Sequence, residues 1–408
     1  MQFPESPEFV QRFCDVVLAS LTRRDQRKWG SRYVRGLLST EGRKSMRRIA
    51  GDGGSTVEQS LQQFISKSPW DWRPVRRALA EHMSKKISPL VMVVNPLVIP
   101  KAGDHSVGVN RQFVAQLGRV ANCQTGVGIW LAGSQGSCPI DWHLTLSPRW
   151  IGDRRRRERA EIPHEVGGAA QWEVIAEAVA EIRDEWDVRR VPVLVREPCA
   201  EMIHALSRRG ISFIASVDES FRVIAGGPPG QGQRQETTVR LLTTRGDRRW
   251  RPVSTFDHRT STTRASLGVA HAVRLPNAEP GREHGVPPGA PMVLFGLYDR
   301  TTGSDRQFWL SNVTDQPLDV LLHRARLTQR VDMDEEEICR KVGMMDFEGR
   351  IYRGWHHHAT LVSVAHAIRL ISRMAEVDVD DFRTKRWLRH PPLTVCRNEA
   401  ETEGTVFD

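Results

Sequence analysis

The sequence predicts an α/β protein with a helical N-terminal region and a β-rich segment in its second half. Three observations support this class. Apolar side chains recur at helical spacing in residues 7–88, short apolar runs alternate with glycine-containing turns in residues 89–148, and helix and strand patterns alternate in residues 169–217. Because such helix–strand alternation is typical of sheets covered by helices, we expect an α/β core.

The composition allows a sizeable core and favours an anionic partner. A chain of 408 residues, 39% of them hydrophobic, is long enough for about two or three domains. Lys and Arg number 59 against 49 Asp and Glu, and most of the excess is Arg, which suits bidentate contacts to phosphate. The charge favours a nucleic-acid partner, with an ordinary solvated basic surface as the alternative.

The cysteines and apolar runs point to an intracellular protein. Six Cys occur without a CxxC pair, so zinc-finger spacing is absent and we expect reduced, mostly buried thiols. The sequence contains neither an N-terminal basic-then-apolar signal nor an apolar run of about 18 residues. We therefore expect a soluble cytoplasmic protein without a membrane partner.

Residues 7–88 are predicted to be helical because Phe9, Phe13 and Leu21 recur at helical spacing. Basic residues follow in groups, from Arg23 to Arg48. They indicate either a helical domain that contacts DNA phosphates or a solvated face beside a packed core. Trp70 and Trp72 are expected to anchor the core rather than stack on bases.

Four strands are predicted next, at about 90–95, 105–114, 122–133 and 139–146. A basic loop follows at 149–164, whose run Arg154–Arg157 indicates either a phosphate contact or a solvated face. A helix at 169–188, a strand at 191–195, a helix at 198–209 and a strand at 211–217 come next. Each follows from its apolar periodicity.

The second half is predicted to be β-rich before it returns to helix. Two loop-like segments, GGPPGQGQRQ and NAEPGREHGVPPGAP, separate the strand-like pieces ETTVRLLTT, AHAVRL and MVLFGLYD. Residues 307–331 are predicted to form a strand, a turn and a helix, and residues 355–373 a closing helix.

Several sequence blocks resemble the IS701-type DDE transposases, which are related to the IS4 group. They are WGSRYVRGLLSTEGRKSMRRIA near the N-terminus, VMVVNPLVIPKAGDHSVGVNRQF, LGRVANCQTGVGIWLAGSQGSCPIDWHLTLSPRW and VGMMDFEGRIYRGWHHHATLVSVAHAIR. The resemblance implies an RNase-H-like α/β core with a β-rich insertion and an N-terminal helical domain. It predicts these boundaries: helical domain 1–88, core 89–217 and 311–375, insertion 218–310 and tail 376–408.

The resemblance also places the acidic triad of the family, and this chain departs from it. Asn95 and Pro96 stand at the first acidic position, Arg196 and then Glu197 at the second, and Asp332 near the third. Two-metal phosphoryl transfer needs carboxylates that converge on cations about 4 Å apart. We therefore expect a transposase-like DNA-binding protein that is deficient in cleavage, an inactive homologue without a metal cofactor.

Two alternatives remain open. An active DDE transposase would use Mg²⁺ or Mn²⁺ with an unexpected acid set drawn from Glu197, Asp332 or Glu335 and Asp141, and would nick DNA only with metal. A protein-interaction scaffold would show no salt-sensitive affinity for DNA.

The expected partner is double-stranded DNA, with a possible homodimer, in a nucleoid-associated cytoplasmic protein. His356, His357 and His358 resemble a family segment and are expected to be structural, since consecutive helical residues point in different directions. The candidate DNA contacts are basic residues near the helical region, the first strands and the basic loop: Arg43, Lys44, Arg47, Arg48, Lys101, Arg111, Arg119, Arg154, Arg155, Arg156 and Arg157.

Overall fold

The computed structural model describes residues 6–225, 236–244, 250–276, 290–299 and 306–376. The described chain forms two compact units: one runs up to Arg196 and resumes at Leu327, and the other comprises Glu197–Arg326. Nearly all of the predicted tail lies outside the described residues. Helices and strands are mixed throughout, so the predicted α/β class is confirmed.

The N-terminal region is helical, as predicted. It comprises α1 (Pro7–Val17), α2 (Arg24–Ser39), α3 (Met46–Ala50), a 3-10 turn (Gly51–Gly53), α4 (Gly54–Ser66) and α5 (Arg73–Ile87). Helix α1 begins where the Ser6 hydroxyl accepts a hydrogen bond from the Phe9 amide at 3.2 Å, with Pro7 in the first turn. Trp70 is buried and Trp72 partly buried, which supports their expected role as core anchors.

The first unit contains β1 (Val91–Pro100), β2 (Val109–Val114), β3 (Arg119–Ala132), β4 (Ser137–Leu144) and β5 (Val193–Val195). Their order is β2-β3-β1-β5, and β4 also pairs with β3. Only the β1–β5 pair is parallel among these pairings. The predicted strand at 90–95 is therefore too short. Pro96 is tolerated inside β1 because β5 pairs only as far as Val94 and requires no donor there.

The prediction of a basic loop at 149–164 is wrong, because this segment contains two short helices. They are α6 (Pro148–Gly152) and α7 (Arg154–Ala160), and α8 (Gln171–Glu185) follows. Asp153 caps α7 by accepting the Arg156 amide at 3.1 Å, and Arg154 pairs with Glu158 one turn later at 2.7 Å. Capping and this spacing of opposite charges stabilise a helix that the charge run alone did not indicate.

The second unit contains α9 (Ala200–Arg208), β6 (Phe213–Val217), β7 (Arg222–Ala225), β8 (Glu236–Thr238), α10 (Val239–Thr244), β9 (Arg251–Asp257), β10 (Thr262–Arg274), β11 (Met292–Tyr298) and β12 (Gln307–Ser311). Its strands run in the order β6-β12-β11-β10-β7-β8, with β9 on β10. The predicted strand ETTVRLLTT is wrong after Thr238, where α10 begins and the Thr243 and Thr244 hydroxyls bond helix carbonyls. Both predicted loop segments lie almost wholly outside the described residues.

The chain closes with α11 (Leu318–Asp334), a π-helical turn (Glu335–Cys339), a 3-10 turn (Met344–Asp346) and α12 (Tyr352–Glu376). Helix α12 is buried on almost every side and contacts α2, α4, α5 and β4 within the first unit. A helix apolar around its whole circumference belongs in a core. None of the described helices combines the length and the apolar character that a membrane span requires.

Candidate functional site

The first unit brings together the three positions singled out by sequence. Asn95 lies in β1, Arg196 directly follows β5, and Asp332 lies in the last turn of α11. Strands β1 and β5 are parallel neighbours, with Val94 opposite Val195. The residues that follow, Asn95 and Arg196, therefore lie side by side in the sheet. Asp332 of α11 lies next to them.

The Arg196 guanidinium links these side chains. Its Nη1 donates to the Asn95 side-chain oxygen at 2.8 Å and to the Asp332 carboxylate, and its Nη2 lies 3.4 Å from the second Asp332 oxygen. Arg196 and Asp332 are each about one-third exposed, at 32% and 31%. The arrangement is a two-pronged arginine–carboxylate pair with an amide as third partner.

Glu335 completes the cluster from the other side of Asn95. The Asn95 amide donates to Glu335 Oε2 at 2.7 Å, and Arg340 approaches the other oxygen at 3.4 Å. Burial raises the pKa of the Glu335 carboxyl above its usual value, although Arg340 and Asn95 favour its charged form. Glu335 begins the π-helical turn, closed by a bond from the Arg340 amide to the Glu335 carbonyl at 2.8 Å.

The neighbouring acids have structural partners. Asp334 is fully buried and accepts hydrogen bonds from the Ser137 amide at 2.7 Å and from Arg330 at 2.8 Å. Glu336 pairs with Arg340 at 3.0 Å, and Glu337 with Arg373 at 3.0 Å. Of the acids between 332 and 337, Asp332 and Glu335 are therefore the two that contact Arg196 or Asn95, a choice that sequence spacing left open.

The cluster does not fit a divalent cation. Mg²⁺ and Mn²⁺ prefer several oxygen ligands with net negative charge, whereas here a guanidinium lies between Asn95 and Asp332. Pro96 has no polar side chain, and the Glu197 side chain is exposed. Within the described ranges, no group of three or more His, Cys, Asp or Glu residues could hold a metal ion.

Two candidate DNA-contacting lysines are turned inward. Lys44 is 6% exposed and its ammonium bonds the Thr40 carbonyl. Lys101 donates to the Phe347 carbonyl at 2.5 Å, and burial lowers its pKa to about 8. The predicted exposure of Lys44 and Lys101 as surface cations is wrong, because both ammonium groups satisfy backbone carbonyls.

The candidate arginines divide by their partners. Arg157 bonds the Pro163 and Val166 carbonyls and Arg156 pairs with Asp153 at 3.3 Å, so both hold the α7 region together. Arg43 and Arg154 are exposed but paired with Glu348 and Glu158. The remaining candidates are exposed and, within the described chain, form no ion pair: Arg47, Arg48, Arg111, Arg119 and Arg155.

A basic cleft lies in the helical region, within the run of basic residues from Arg23 to Arg48 that the sequence indicated as either DNA-contacting or a solvated face. Its volume is 1190 Å³, and it is lined by residues of α1, α2, α3 and the following 3-10 turn. Six of its lining side chains are cations, against three carboxylates at Asp15, Asp25 and Asp52. The cations are Arg24, Arg27, Lys28, Arg32, Arg35 and Arg48.

Within the described chain, the cations of the basic cleft form no ion pair, and six cations face three carboxylates. Arg32 bonds the Ala50 carbonyl at 3.2 Å, Arg27 the Thr22 carbonyl at 3.2 Å and Arg35 the Gln11 amide oxygen. These acceptors are neutral. Arg24, Lys28 and Arg32 follow one another at four-residue intervals along α2, a spacing at which like charges repel on an isolated helix.

A second polar cluster is structural. Arg76 is 2% exposed and bonds Asp141 at 2.6 Å, while His143 bonds the same carboxylate at 2.8 Å. Burial alone would raise the pKa of Asp141, but His143 and Arg76 outweigh it and hold that pKa well below its usual range. Asp141 is therefore a partner of a buried arginine and lies outside the Arg196 cluster.

The three consecutive histidines also have separate structural partners. His356 accepts from Arg76 at 3.1 Å, His357 lies 2.9 Å from the Ile65 and Trp70 carbonyls, and His358 bonds Tyr33 at 2.9 Å and the Gly343 carbonyl at 3.0 Å. Their rings point to different neighbours, which agrees with the structural role expected from sequence.

The comparisons with known proteins identify the family. A family model described as DDE superfamily endonuclease matches residues 16–267, more than half of the chain. A solved structure, the cryo-EM synaptic complex of piggyBac transposase with hairpin DNA, is 11% identical, with a TM-score of 0.38, over 91% of this chain and 73% of that chain. No curated protein matches the sequence. The extent of the family match shows that this α/β chain belongs to the DDE superfamily endonucleases, whose fold is RNase-H-like.

Proposed function

We propose that this protein is a transposase-like member of the DDE superfamily that binds double-stranded DNA and does not cleave it. One observation carries the proposal: the Arg196 guanidinium occupies the space between Asn95 and Asp332, where the family requires carboxylates around divalent cations. A fixed positive charge a few ångströms from an incoming cation costs several kcal/mol even at an intermediate dielectric.

The hydrogen bonds of the cluster support the same proposal. Asn95 directs its amide N–H groups at Glu335 and its oxygen at Arg196, so neither end is left to bind a cation. Asp332 is neutralised by Arg196. The cluster is thus satisfied internally, and it lacks the excess negative charge that offsets the dehydration of a hard cation.

The basic cleft supports DNA binding that does not depend on the Arg196 cluster. Four cations of α2 span eleven residue steps, or about 16 Å of helix: Arg24, Lys28, Arg32 and Arg35. This length equals roughly five phosphate intervals of one DNA strand, measured along the axis of the duplex. Phosphates would relieve the repulsion between these cations. Arg47 and Arg48 of α3 extend the positive surface.

The salt dependence of DNA binding tests this part of the proposal. The triple variant Arg24→Gln/Lys28→Gln/Arg32→Gln should bind duplex DNA more weakly and lower the slope of log affinity against log salt by about 3, since each phosphate contact contributes about 0.9. The control triple Lys67→Gln/Arg77→Gln/Lys85→Gln removes equal charge from cations already paired with carboxylates. Equal slopes for the two triples would contradict a role for the cleft. Absence of salt-sensitive binding by the unmodified protein would leave the scaffold alternative.

A further inference from the structure

The hairpin of β2 and β3 extends beyond the strands beside it. Strand β1 ends at Pro100, which pairs with Cys123, and β4 pairs with β3 only from Gly126 onward. Residues 119–121 of β3 therefore pair with β2 alone, and the Asn122 carbonyl also accepts the Lys101 amide at 2.8 Å. Residues 111–122 form a two-stranded ribbon, closed by the 3-10 turn Ala115–Leu117 and by Gly118 at φ +60°.

The ribbon carries an unusual share of exposed apolar surface. Phe113 is 63% exposed, Val120 52% and Leu117 41%, and they are three of the six large hydrophobic side chains that are exposed in the described chain. Phe113 and Val120 are direct cross-strand partners, so their side chains lie on the same face. Exposed apolar side chains that cluster in this way indicate a contact surface.

The charges of the ribbon determine which partner fits. Arg111 and Arg119 are exposed, and no carboxylate of the described chain pairs with either of them. Arg111 lies on the same face as Phe113 and Val120, so a second copy of the ribbon would bring another Arg111 guanidinium against it in a protein of net charge +10, which disfavours self-pairing. An anionic partner that also offers apolar contacts fits both features.

We propose that the β2–β3 ribbon enters the major groove of duplex DNA. The major groove admits a two-stranded β-ribbon, and arginine contacts to phosphates or guanine edges combine there with apolar contacts to bases. Phe113, Leu117 and Val120 contact the base edges, Arg111 on the face of Phe113 and Val120 supplies a charged contact within the groove, and Arg119 on the opposite face contacts the phosphate backbone. This inference rests on the proposed DNA binding and adds a second contact, distinct from the basic cleft.

Two ribbon variants separate the apolar and charged contributions. Phe113→Ala should lower the affinity for duplex DNA about ten-fold, because a buried aromatic side chain contributes on that order, and should leave the salt slope unchanged. Arg111→Gln/Arg119→Gln should lower the slope by about 2. Val174→Ala, another exposed apolar residue, and Arg77→Gln/Lys85→Gln are the matched controls. All six positions are exposed, and thermal melting verifies that each of the four variants folds.

The outcomes distinguish this inference from the proposed function. Normal DNA binding by the unmodified protein, with both ribbon variants equal to their controls, overturns the ribbon contact alone. Absence of DNA binding by the unmodified protein overturns the proposed function as well. Sedimentation provides the third result: a dimer that Phe113→Ala converts to monomer would assign the apolar surface to a second copy and overturn the DNA assignment.

Discussion

At the scale of single residues, the proposed loss of cleavage rests on Arg196. It stands where the family resemblance places an acid, and its guanidinium bonds both Asn95 and Asp332. The guanidinium of a side chain thus takes the place that a bound metal ion would have beside Asp332. A guanidinium can contact a phosphate, but it cannot coordinate and activate the attacking water as a metal ion does.

Restoring the missing acids should therefore create a metal site. The variant Asn95→Asp/Arg196→Asp would place two new carboxylates beside Asp332 and Glu335. Without metal their mutual repulsion should lower the melting temperature below that of the unmodified protein. Mn²⁺ should then raise it, because a ligand that binds only the folded state stabilises that state. Thermal melting with and without Mn²⁺ measures both effects.

The control for this variant removes a ligand again. Adding Asp332→Asn to the double variant should abolish the rise in melting temperature with Mn²⁺. A similar rise in the unmodified protein would show that its cluster already binds the ion, against the role assigned to Arg196.

The resemblance predicted where Asn95, Arg196 and Asp332 stand, but it did not predict their contacts. Nothing in the sequence indicated that Asn95 would donate to Glu335, 240 positions away. Lys44 and Lys101 were expected at the surface, yet the Lys44 amide bonds Asp346, 302 positions later. Such burial depends on tertiary packing between distant segments, which local charge patterns do not report.

At the scale of elements, α12 holds buried histidines whose pKa values are lowered in the folded protein. Burial lowers the pKa of His358 to about 3 and of His366 to about 4, and each ring bonds one backbone carbonyl through Nε2, which a neutral imidazole satisfies. In an unfolded chain these side chains titrate near 6.5. Between about pH 6.5 and 4 the unfolded state therefore binds more protons than the folded state.

We expect the protein to lose stability as the pH falls through this window. The stabilisation from neutral histidines is complete above about pH 6.5 and is lost toward pH 4, at up to about 1.4 kcal/mol per pH unit for each histidine. Urea unfolding between pH 7.5 and 4.5 measures the slope. His366→Leu should flatten it, whereas His105→Gln, at an exposed histidine, should not. A free energy of unfolding that stays constant over this range would refute the prediction.

The elements were predicted best where apolar periodicity was regular. Helices α8 and α12 and strand β6 lie close to their predicted ranges. The α7 segment was missed because its helix depends on the Asp153 cap and on a charge pair, and α7 buries only Ala160. Strand β1 was predicted too short because a proline normally ends a strand, but Pro96 lies beyond the end of β5.

At the scale of the whole molecule, the sequence predicted the α/β class and the DDE superfamily. Both could be predicted because each rests on sequence patterns that extend over most of the chain. The compact units divide at Arg196 and Leu327, because the helical N-terminal region packs on the first strands and on α12. This division depends on tertiary packing, which the composition of the sequence does not indicate.

The most direct test of the central claim is a nicking assay on supercoiled DNA with the unmodified protein, with Mg²⁺ or Mn²⁺ and at a salt concentration that permits binding. We predict binding without metal-dependent nicks, because Arg196 excludes the cations that cleavage requires. Nicks that require metal and disappear in Asp332→Ala would contradict the account and establish an active DDE transposase.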